Sequence, residues 1–386
     1  MQPPANSFIK KEDIRRERKF PLRLFFCKDC YLLQLCDVVN KRFLFSNYLY
    51  LTGASKPIIS HFSSYAESIF KNYLYKKNKP FIVEIGSNDG SLLNEFKKFG
   101  VSILGIEPAS NVAKLANKLR IKTKNTFFSS SLAKSLSSKQ KADVIIANNV
   151  VGHVNDLKDF VKGVKMLLMD DGIFVFEVPY AMELIEKLEF DTIYHEHLSY
   201  FTLHPLIRLF EQFDLEVFDV QEQKVHGGSI RVFVGKKGIH KIKPSIKKMI
   251  LFERQKRIDK IKTYEKFSYG VNNLKNALFN KLSGLKKEKK IFGYGAPAKG
   301  TVLLNYCNID SKILDFIIDT TSLKQGLCTP GTHIPILSPK IISKKGRNDV
   351  GLMLAWNYST EILKKEKKFR KRGGRFLIPI PKPRLV

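Results

Sequence analysis

The sequence has 386 residues, is 44% hydrophobic and carries a formal net charge of +31. At about 150 residues per domain, this length predicts two to three packed domains. No apolar run approaches the roughly 18 residues of a membrane span, and no signal peptide opens the chain. We therefore expect a soluble, cytoplasmic protein with no membrane partner. The lysines are spread along the whole chain without an aromatic-interleaved basic module, which favours a solvated basic surface over a nucleic-acid-binding one.

Five cysteines do not form the framework of a secreted, disulfide-bonded protein. Cys27 and Cys30 form a C-x-x-C pair, which is half of a structural zinc site. A second pair is missing, and the nearest histidine, His61, is far along the chain. We expect these cysteines to bind zinc weakly or not at all.

The stretch Phe81–Gly90, FIVEIGSNDG, predicts a buried strand that enters a tight glycine loop. Ser91–Phe99 follows as a predicted helix, whose first N–H groups can hold an anionic or acceptor group. A second strand, LGIEP, ends at Glu107, about 20 residues past the glycine turn, where an acid can accept hydrogen bonds from a ribose. This order indicates a nucleoside-binding α/β domain.

The loop is E-x-G-x-N-x-G, and it lacks the second glycine that a dinucleotide pyrophosphate requires. A ligand without phosphates at that point, such as S-adenosylmethionine (SAM), fits better. A glycine turn used only for packing is the alternative. The predicted cofactor-binding residues in this part of the chain are Glu84, Gly86, Ser87, Asn88, Gly90, Glu107 and Pro108.

Further strands extend the predicted sheet. Asp143–Asn149 ends in two amides, Asn148 and Asn149, which we place at the ligand-binding edge beside the cofactor, and His153 follows. Ile173–Val178 is another strand, and Leu215–Val220 pairs with Ile230–Val234 as an antiparallel hairpin around His226. A parallel sheet closed by such a pair is typical of class I methyltransferases.

The segment FDTIYHEHLSYF holds Tyr194, His195, Glu196 and His197 in succession. In a strand or loop, neighbouring side chains point in opposite directions, so at most two of the four share a face directly. A histidine beside a carboxylate is oriented and kept basic. The segment lacks the H-E-x-x-H spacing of a zincin metal site. Buried polar residues without a catalytic role are the alternative.

Residues 240–290 predict a lysine-rich connecting helix with an apolar stripe from Tyr264 to Leu285. KIFGYGAPAKG then starts a second strand, glycine turn and helix, with Gly295 in the turn and Lys299 near the helix start. LDFIIDTT follows as the next strand and ends at Asp319. This second Rossmann-like unit is compatible with NAD, with another nucleotide, or with no ligand.

The whole set of motifs resembles the nucleotide-sugar C-methyltransferases, such as the 3-C-methyltransferases of branched deoxysugar biosynthesis. The matching stretches cover nearly the whole chain: QPPANSF, VEIGSNDGSLL, GIEPASNVA, ANNVVGHVNDL, FEVPY, FDTIYHEHLSYF, HGGSIRVFV, GYGAPAKG, PGTHIPI and LAWNY. The resemblance implies a zinc-binding N-terminal domain, a SAM-binding core and a C-terminal Rossmann-like domain that helps to hold the sugar nucleotide. The family has a C-x-x-C before the QPPAN segment, and this sequence starts at Met1-Gln2-Pro3.

Residue by residue, the resemblance makes His197 the general base. Tyr194, Glu196 and His153 match other polar residues of the family's active site, and Tyr48 matches a tyrosine that the N-terminal region contributes. We assign Gly295, Lys299 and His226 to substrate binding, with Lys299 as the cation for the diphosphate.

The expected fold class is therefore α/β, with a class I methyltransferase core and a second Rossmann-like domain. The expected regions are residues 1–75, 76–236, 237–290 and 291–386, the third being the helical connector. The leading hypothesis is a SAM-dependent C-methyltransferase acting on a nucleotide-linked 4-keto-deoxysugar. An O- or N-methyltransferase, and an NAD- or nucleotide-binding protein without methyl transfer, are the alternatives.

Overall fold

The computed structural model describes residues 1–45, 51–54, 56–225 and 227–386. Two of the predicted site residues, Tyr48 and His226, lie outside the described residues. Within those four ranges, no helix combines the length and the apolar character needed to cross a bilayer.

The strands of the described chain, in chain order, are β1 (Leu24–Phe26), β2 (Leu33–Leu35), β3 (Phe81–Ile85), β4 (Ser102–Ile106), β5 (Thr123–Lys124), β6 (Ala142–Ile146), β7 (Leu168–Pro179), β8 (Ser199–Tyr200), β9 (Leu215–Gln223), β10 (Ser229–Lys236), β11 (Lys290–Tyr294), β12 (Ile317–Ile318), β13 (Ile336–Leu337), β14 (Asp349–Met353), β15 (Arg375–Ile378) and β16 (Arg384–Leu385).

The helices are α1 (Lys41–Phe45), α2 (Lys56–Ile69), α3 (Ser91–Lys97), α4 (Ser110–Lys118), α5 (Ser130–Ser137), α6 (Leu157–Leu167), α7 (Ala181–Glu186), α8 (Leu203–Glu211), α9 (Pro244–Gln255), α10 (Ile261–Lys286), α11 (Ala298–Tyr306), α12 (Ser359–Lys365) and α13 (Lys367–Lys371). Short 3₁₀ turns at Val151–His153, Phe190–Thr192, Ser322–Lys324 and Trp356–Tyr358 matter for the site.

The first sheet has seven strands in the order β5-β4-β3-β6-β7-β10-β9. The five strands from β5 to β7 are parallel, and β10 pairs antiparallel with both β7 and β9. The central strand β3 is buried on both faces, as its continuous run of β-prone residues predicts. The strand order reverses at β3 and β6, and the carboxyl ends of strands at such a point form a ligand crevice.

The second sheet has six strands in the order β13-β12-β11-β14-β15-β16, parallel except for β16. Its strand order also reverses, beside β11, so the chain has a second crevice of the same kind. A third, small antiparallel sheet joins β1 and β2 of the N-terminal region to β8, which follows the Tyr194–His197 segment.

The predicted apolar stripe of the connector lies on α10. Its residues Phe267, Val271, Leu274 and Leu278 are buried in one hydrophobic cluster with the second sheet and with α7. The connector contains a second helix, α9, which packs on the core of the first sheet through Ile246 and Met249. Residues of α10 thus pack against both α7 and the second sheet.

Several predicted elements have different bounds in the structure. The predicted strand Asp143–Asn149 ends at Ile146, because Asn149 has a left-handed backbone with φ of +55° and turns the chain. The predicted strand Ile173–Val178 is part of the longer β7, which begins at Leu168. The predicted hairpin is β9 and β10.

Candidate functional site

A single cavity of about 1750 Å³ lies along the carboxyl edges of both large sheets. It brings together most of the predicted site residues. Those that line it are Glu84, Gly86, Ser87, Asn88, Glu107, Pro108, Asn148, Asn149, His153, Tyr194, Glu196, His197, Gly295 and Lys299. Gly90, Cys27 and Cys30 are outside this lining.

The glycine loop after β3 requires its glycines. Gly86 has φ of +68°, and a Cβ atom there would come within 2.4 Å of the Val150 side chain. Gly90 has φ of +79° and directly precedes α3, so it shapes the turn into the helix. Both positions therefore require glycine, because a side chain would be strained there and would collide with Val150 or Ile121.

Glu107 supports this loop as well as facing the cavity. Its two carboxylate oxygens accept backbone hydrogen bonds from Asn88 N–H at 2.9 Å and Ala109 N–H at 2.8 Å. Burial raises the pKa of Glu107, and the two N–H donors oppose that shift. Since a carboxylate oxygen can accept more than one hydrogen bond, the ribose role predicted for Glu107 is compatible with this geometry.

Glu84 is buried beneath the loop, and its Oε2 atom has no hydrogen-bond partner among the described residues. Burial, reinforced by the charges of Asp89 and Glu107, raises the pKa of Glu84 well above its usual range. A cationic ligand group would stabilise the ionised carboxylate. The ammonium group of SAM is such a cation and could donate to Glu84 Oε2, so this acceptor fits the cofactor.

Asn148 and Asn149 follow β6 and are fixed by β7. Asn148 Oδ1 accepts the Glu177 N–H at 3.1 Å, and the Asn149 N–H donates to the Glu177 carbonyl at 2.8 Å. The Nδ2 atom of Asn148 is buried without an acceptor among the described residues. These contacts hold the two amides at the cavity beside the glycine loop.

The segment Tyr194–His197 is a tight turn, closed by a 2.8 Å hydrogen bond from His197 N–H to the Tyr194 carbonyl. Because the chain turns here, Tyr194, His195, Glu196 and His197 all line the cavity. The expected alternation of neighbouring side chains does not apply to this turn, in which the His195 ring packs against Phe20. The rings of Tyr194 and His197 lie 3.9 Å apart, centroid to centroid.

The His197 ring is oriented by the backbone. Its Nδ1 atom lies 2.8 Å from the carbonyl oxygen of Thr192, so Nδ1 carries the proton and donates it. In the neutral ring, Nε2 is then the proton acceptor. This tautomer is the one that a general base needs.

His153 lies 4.9 Å from His197, between ring centroids. Burial lowers the pKa of His153 to about 4. The His153 ring is therefore neutral at physiological pH. A neutral imidazole in this position can donate an N–H hydrogen bond to a developing oxyanion.

Glu196 is contacted by the N-terminal segment. Asn6 Nδ2 donates to Glu196 Oε1 at 2.7 Å, across 190 residues of sequence. His195, by contrast, reaches the carbonyl oxygen of Pro21 at 3.0 Å. The QPPAN segment thus contributes a residue to the site, which its sequence alone did not reveal.

The second glycine loop, like the first, is held by a carboxylate that accepts backbone hydrogen bonds. Gly295 has φ of +82°, and Asp319 accepts hydrogen bonds from Ala296 N–H at 2.6 Å and Thr321 N–H at 2.7 Å. Lys299 is the second residue of α11, as predicted. Its ammonium nitrogen lies 3.7 Å from Glu189 Oε2 and 5.1 Å from the centroid of the Trp356 ring.

Sequence reasoning missed Asp191 and Trp356. The indole Nε1–H of Trp356 donates to Asp191 Oδ2 at 2.6 Å, and Asp191 is fully buried. No local pattern signals this contact, because 165 residues separate the two side chains. It joins the second α/β unit to the residue that precedes Thr192.

The cysteines provide only part of a zinc site. The backbone donors of Cys30 and Asp29, followed by the Cys30 thiol, lower the pKa of Cys27. Among the described residues, no group of three or more His, Cys, Asp or Glu side chains could hold a metal ion. His61 contacts Glu177 instead, with Nε2 3.0 Å from both carboxylate oxygens.

Family models match three consecutive parts of the chain. Residues 1–45 match "Putative zinc binding domain", residues 61–220 match "Methyltransferase domain", and residues 224–381 match "C-methyltransferase C-terminal domain". Among solved structures, a SAM-dependent methyltransferase from Clostridium acetobutylicum ATCC 824 has a TM-score of 0.37 and 13% identity, over 46% of this chain and 92% of that chain.

Two curated relatives are methyltransferases. Over 118 residues the chain is 30% identical to a ubiquinone biosynthesis O-methyltransferase of Pelagibacter ubique. This match covers 28% of this chain and 47% of that protein. Over 385 residues the chain is 36% identical to C-methyltransferase NovU of Streptomyces niveus. This match covers 99% of this chain and 91% of that protein. The expected α/β class I methyltransferase fold is confirmed, and the chain belongs to the SAM-dependent C-methyltransferase family.

Proposed function

We propose that this C-methyltransferase adds a methyl group to the carbon next to the ketone of a nucleotide-linked 4-keto-deoxysugar. The observation that carries the proposal is the orientation of His197, whose Nδ1 is held by the Thr192 carbonyl at 2.8 Å. His197 lines the same cavity as the cofactor loop at Gly86 and the second glycine loop at Gly295. A base, a methyl donor and a nucleotide-sized ligand would therefore meet in one place.

The chemistry requires a carbon nucleophile. A ketone acidifies the neighbouring C–H bond, so a base can remove that proton and leave an enolate. His197 accepts the proton at Nε2, and the electron pair of the C–H bond moves into the enolate. The enolate carbon would then form its new bond to the methyl group as the S–CH3 bond of the sulfonium donor breaks, its electron pair staying on sulfur, and the ketone is restored as the C=O bond reforms.

The enolate oxygen requires donors that are already in place. His153 is neutral because of its lowered pKa and can donate a hydrogen bond without carrying charge. Tyr194 packs against the His197 ring and supplies a phenol at the cavity. Glu196, fixed by Asn6, and Tyr48 complete the proposed active-site set.

The proposed SAM site is the first glycine loop, with Glu84 beneath it and Glu107 facing the ribose. When bound, SAM supplies the electrophilic methyl group. Ser87, Asn88, Pro108, Asn148 and Asn149 line the same end of the cavity and would position the cofactor.

The nucleotide part of the substrate is proposed to lie along the second glycine loop. Gly295 lets the backbone approach the ligand, and Lys299 and His226 remain predicted substrate contacts. A zinc ion takes no part in the proposed step.

The test is to incubate the full chain with SAM labelled with carbon-13 in its methyl group. Uridine- and thymidine-linked 4-keto-6-deoxysugars serve as acceptors. Carbon-13 NMR distinguishes a methyl group on carbon from one on oxygen or nitrogen. We expect a carbon-bound methyl group. A label on oxygen or nitrogen would favour the O- or N-methyltransferase alternative, and no transfer to any of these acceptors would refute the substrate class.

A further inference from the structure

Lys324 places a half-buried cation in the cavity. It belongs to the 3₁₀ turn Ser322–Lys324, which follows β12, and it lines the cavity. Its ammonium donates a 2.8 Å hydrogen bond to the carbonyl oxygen of Ala296, in the loop after β11. Lys324 therefore stands at the carboxyl ends of two adjacent parallel strands, where open α/β sheets bind ligands.

The charge of Lys324 is not neutralised by a direct ion pair. Its acceptor, the Ala296 carbonyl, is neutral, and its other close contact is the Phe8 ring, 4.7 Å from the ammonium. Across the described part of the chain, no carboxylate lies within ion-pair distance of it. The nearest acids are engaged elsewhere, since Asp319 accepts two backbone N–H groups and Glu196 accepts the Asn6 amide.

Burial lowers the pKa of Lys324, and the more distant charges of Asp319 and Glu196 only partly oppose that shift. A half-buried ammonium whose hydrogen-bond acceptor is neutral lacks a counter-charge, and an anionic ligand would supply one. Lys299 differs, because its ammonium already faces the Glu189 carboxylate at 3.7 Å.

We propose that Lys324 binds the diphosphate of the nucleotide substrate. This inference rests on the proposed function, since it takes the substrate to be a nucleotide sugar. The start of α11 lies beside it, and the first N–H groups of a helix lack acceptors within the helix and attract anions. The sugar, linked to the second phosphate, then extends along the same cavity toward Glu196 and His197.

The experiment measures ligand binding by calorimetry on the full chain, without turnover. The probes are uridine diphosphate and thymidine diphosphate, compared with uridine and thymidine, and SAM is titrated separately. The variants are Lys324→Met, Lys324→Arg and Lys299→Met. Lys312→Met is the matched control, because it removes an exposed lysine of the same sheet unit that lies outside the cavity lining.

We expect Lys324→Met to weaken nucleoside diphosphate binding by about tenfold or more, as the loss of one charged hydrogen bond implies. Lys324→Arg should keep most of the affinity, and nucleoside and SAM affinities should be unchanged. Lys312→Met should bind the diphosphates as the wild type does. If Lys324→Met fails to fold, judged by thermal unfolding, Lys324→Gln takes its place.

Two results would overturn the inference while leaving the proposed function intact. One is wild-type diphosphate affinity in Lys324→Met, with a loss only in Lys299→Met. The other is an equal loss for diphosphate, nucleoside and SAM, which would show a structural role. If the wild type binds neither nucleoside diphosphate, the substrate class of the proposed function fails, and this inference fails with it.

Discussion

The indole of Trp356 is hydrogen-bonded to Asp191 at 2.6 Å, one residue before the Thr192 carbonyl that holds His197 at 2.8 Å. The second α/β unit thereby fixes the backbone that orients the proposed base. Asp191 is fully buried, and burial raises its pKa, an effect that the Trp356 donor opposes. The two units are thus connected through the site itself.

Replacing Trp356 by Phe should slow turnover. Phe keeps an aromatic ring near Lys299 but removes the N–H, and leaving a buried acceptor unpaired costs about 1–3 kcal/mol. The loss of this hydrogen bond should also displace the Thr192 carbonyl, which orients the His197 ring. We expect kcat to fall by about tenfold, with SAM affinity unchanged because Trp356 is not among the residues that line the cavity beside the first glycine loop.

The Trp356→Phe measurement needs both kinetics and SAM calorimetry. Trp356→Ala is the harsher comparison, since it also removes the packing of the ring. A wild-type kcat in Trp356→Phe would show that the hydrogen bond to Asp191 does not position His197.

Glu107 provides the second prediction. We expect Glu107→Ala to lower SAM affinity at least fivefold, because the ribose hydroxyls lose their acceptor at a cost of about 1–3 kcal/mol. Part of the loss would come from the loop, since Glu107 also accepts the Asn88 and Ala109 N–H groups. Glu107→Gln keeps one acceptor oxygen and should lose less.

Calorimetry with SAM and thermal unfolding of the same samples separate the two contributions. Unchanged SAM affinity in Glu107→Ala would show that the ribose does not bind at this carboxylate.

The two glycine loops could be predicted from the sequence because strand, glycine turn, helix and acid are local patterns. Glu107 and Asp319 come after their glycine turns as expected, and both face the loops. The turn at Tyr194–His197 was missed because the rule of alternating faces holds only for extended backbone. Contacts such as Trp356–Asp191 and Asn6–Glu196 join residues more than 160 positions apart, and only the folded chain brings them together.

The third prediction concerns pH and His153. Burial lowers its pKa from 6.5 to about 4, so the unfolded chain binds more protons than the folded one between these values. The contribution of the neutral His153 ring to the free energy of unfolding is therefore complete above pH 6.5. It is lost progressively as the pH falls toward 4. At about 1.36 kcal/mol per pKa unit, the loss is on the order of 3 kcal/mol.

Urea unfolding at pH 7.5 and at pH 5 measures this effect. The wild type should lose stability over this interval, and His153→Gln, which cannot titrate, should lose less. Equal pH dependence in both proteins would show that His153 is not held neutral by burial. Proton NMR of the His153 ring provides an independent check, since it should not titrate between pH 5.5 and pH 8.

The last prediction separates proton removal from methyl transfer. With a 4-keto sugar nucleotide in heavy water, the wild type should exchange the proton next to the ketone, because enolate formation requires only the base. His197→Asn should lose both exchange and methylation by about 10²-fold or more, which is the usual contribution of a general base. SAM affinity should be unchanged, since the first glycine loop is untouched. Tyr194→Phe is the matched comparison, because it keeps the ring packed on position 197 and removes only the phenolic hydroxyl group. Exchange at the wild-type rate in His197→Asn would exclude His197 as the base, and Glu196 or His153 would then be the residue to replace.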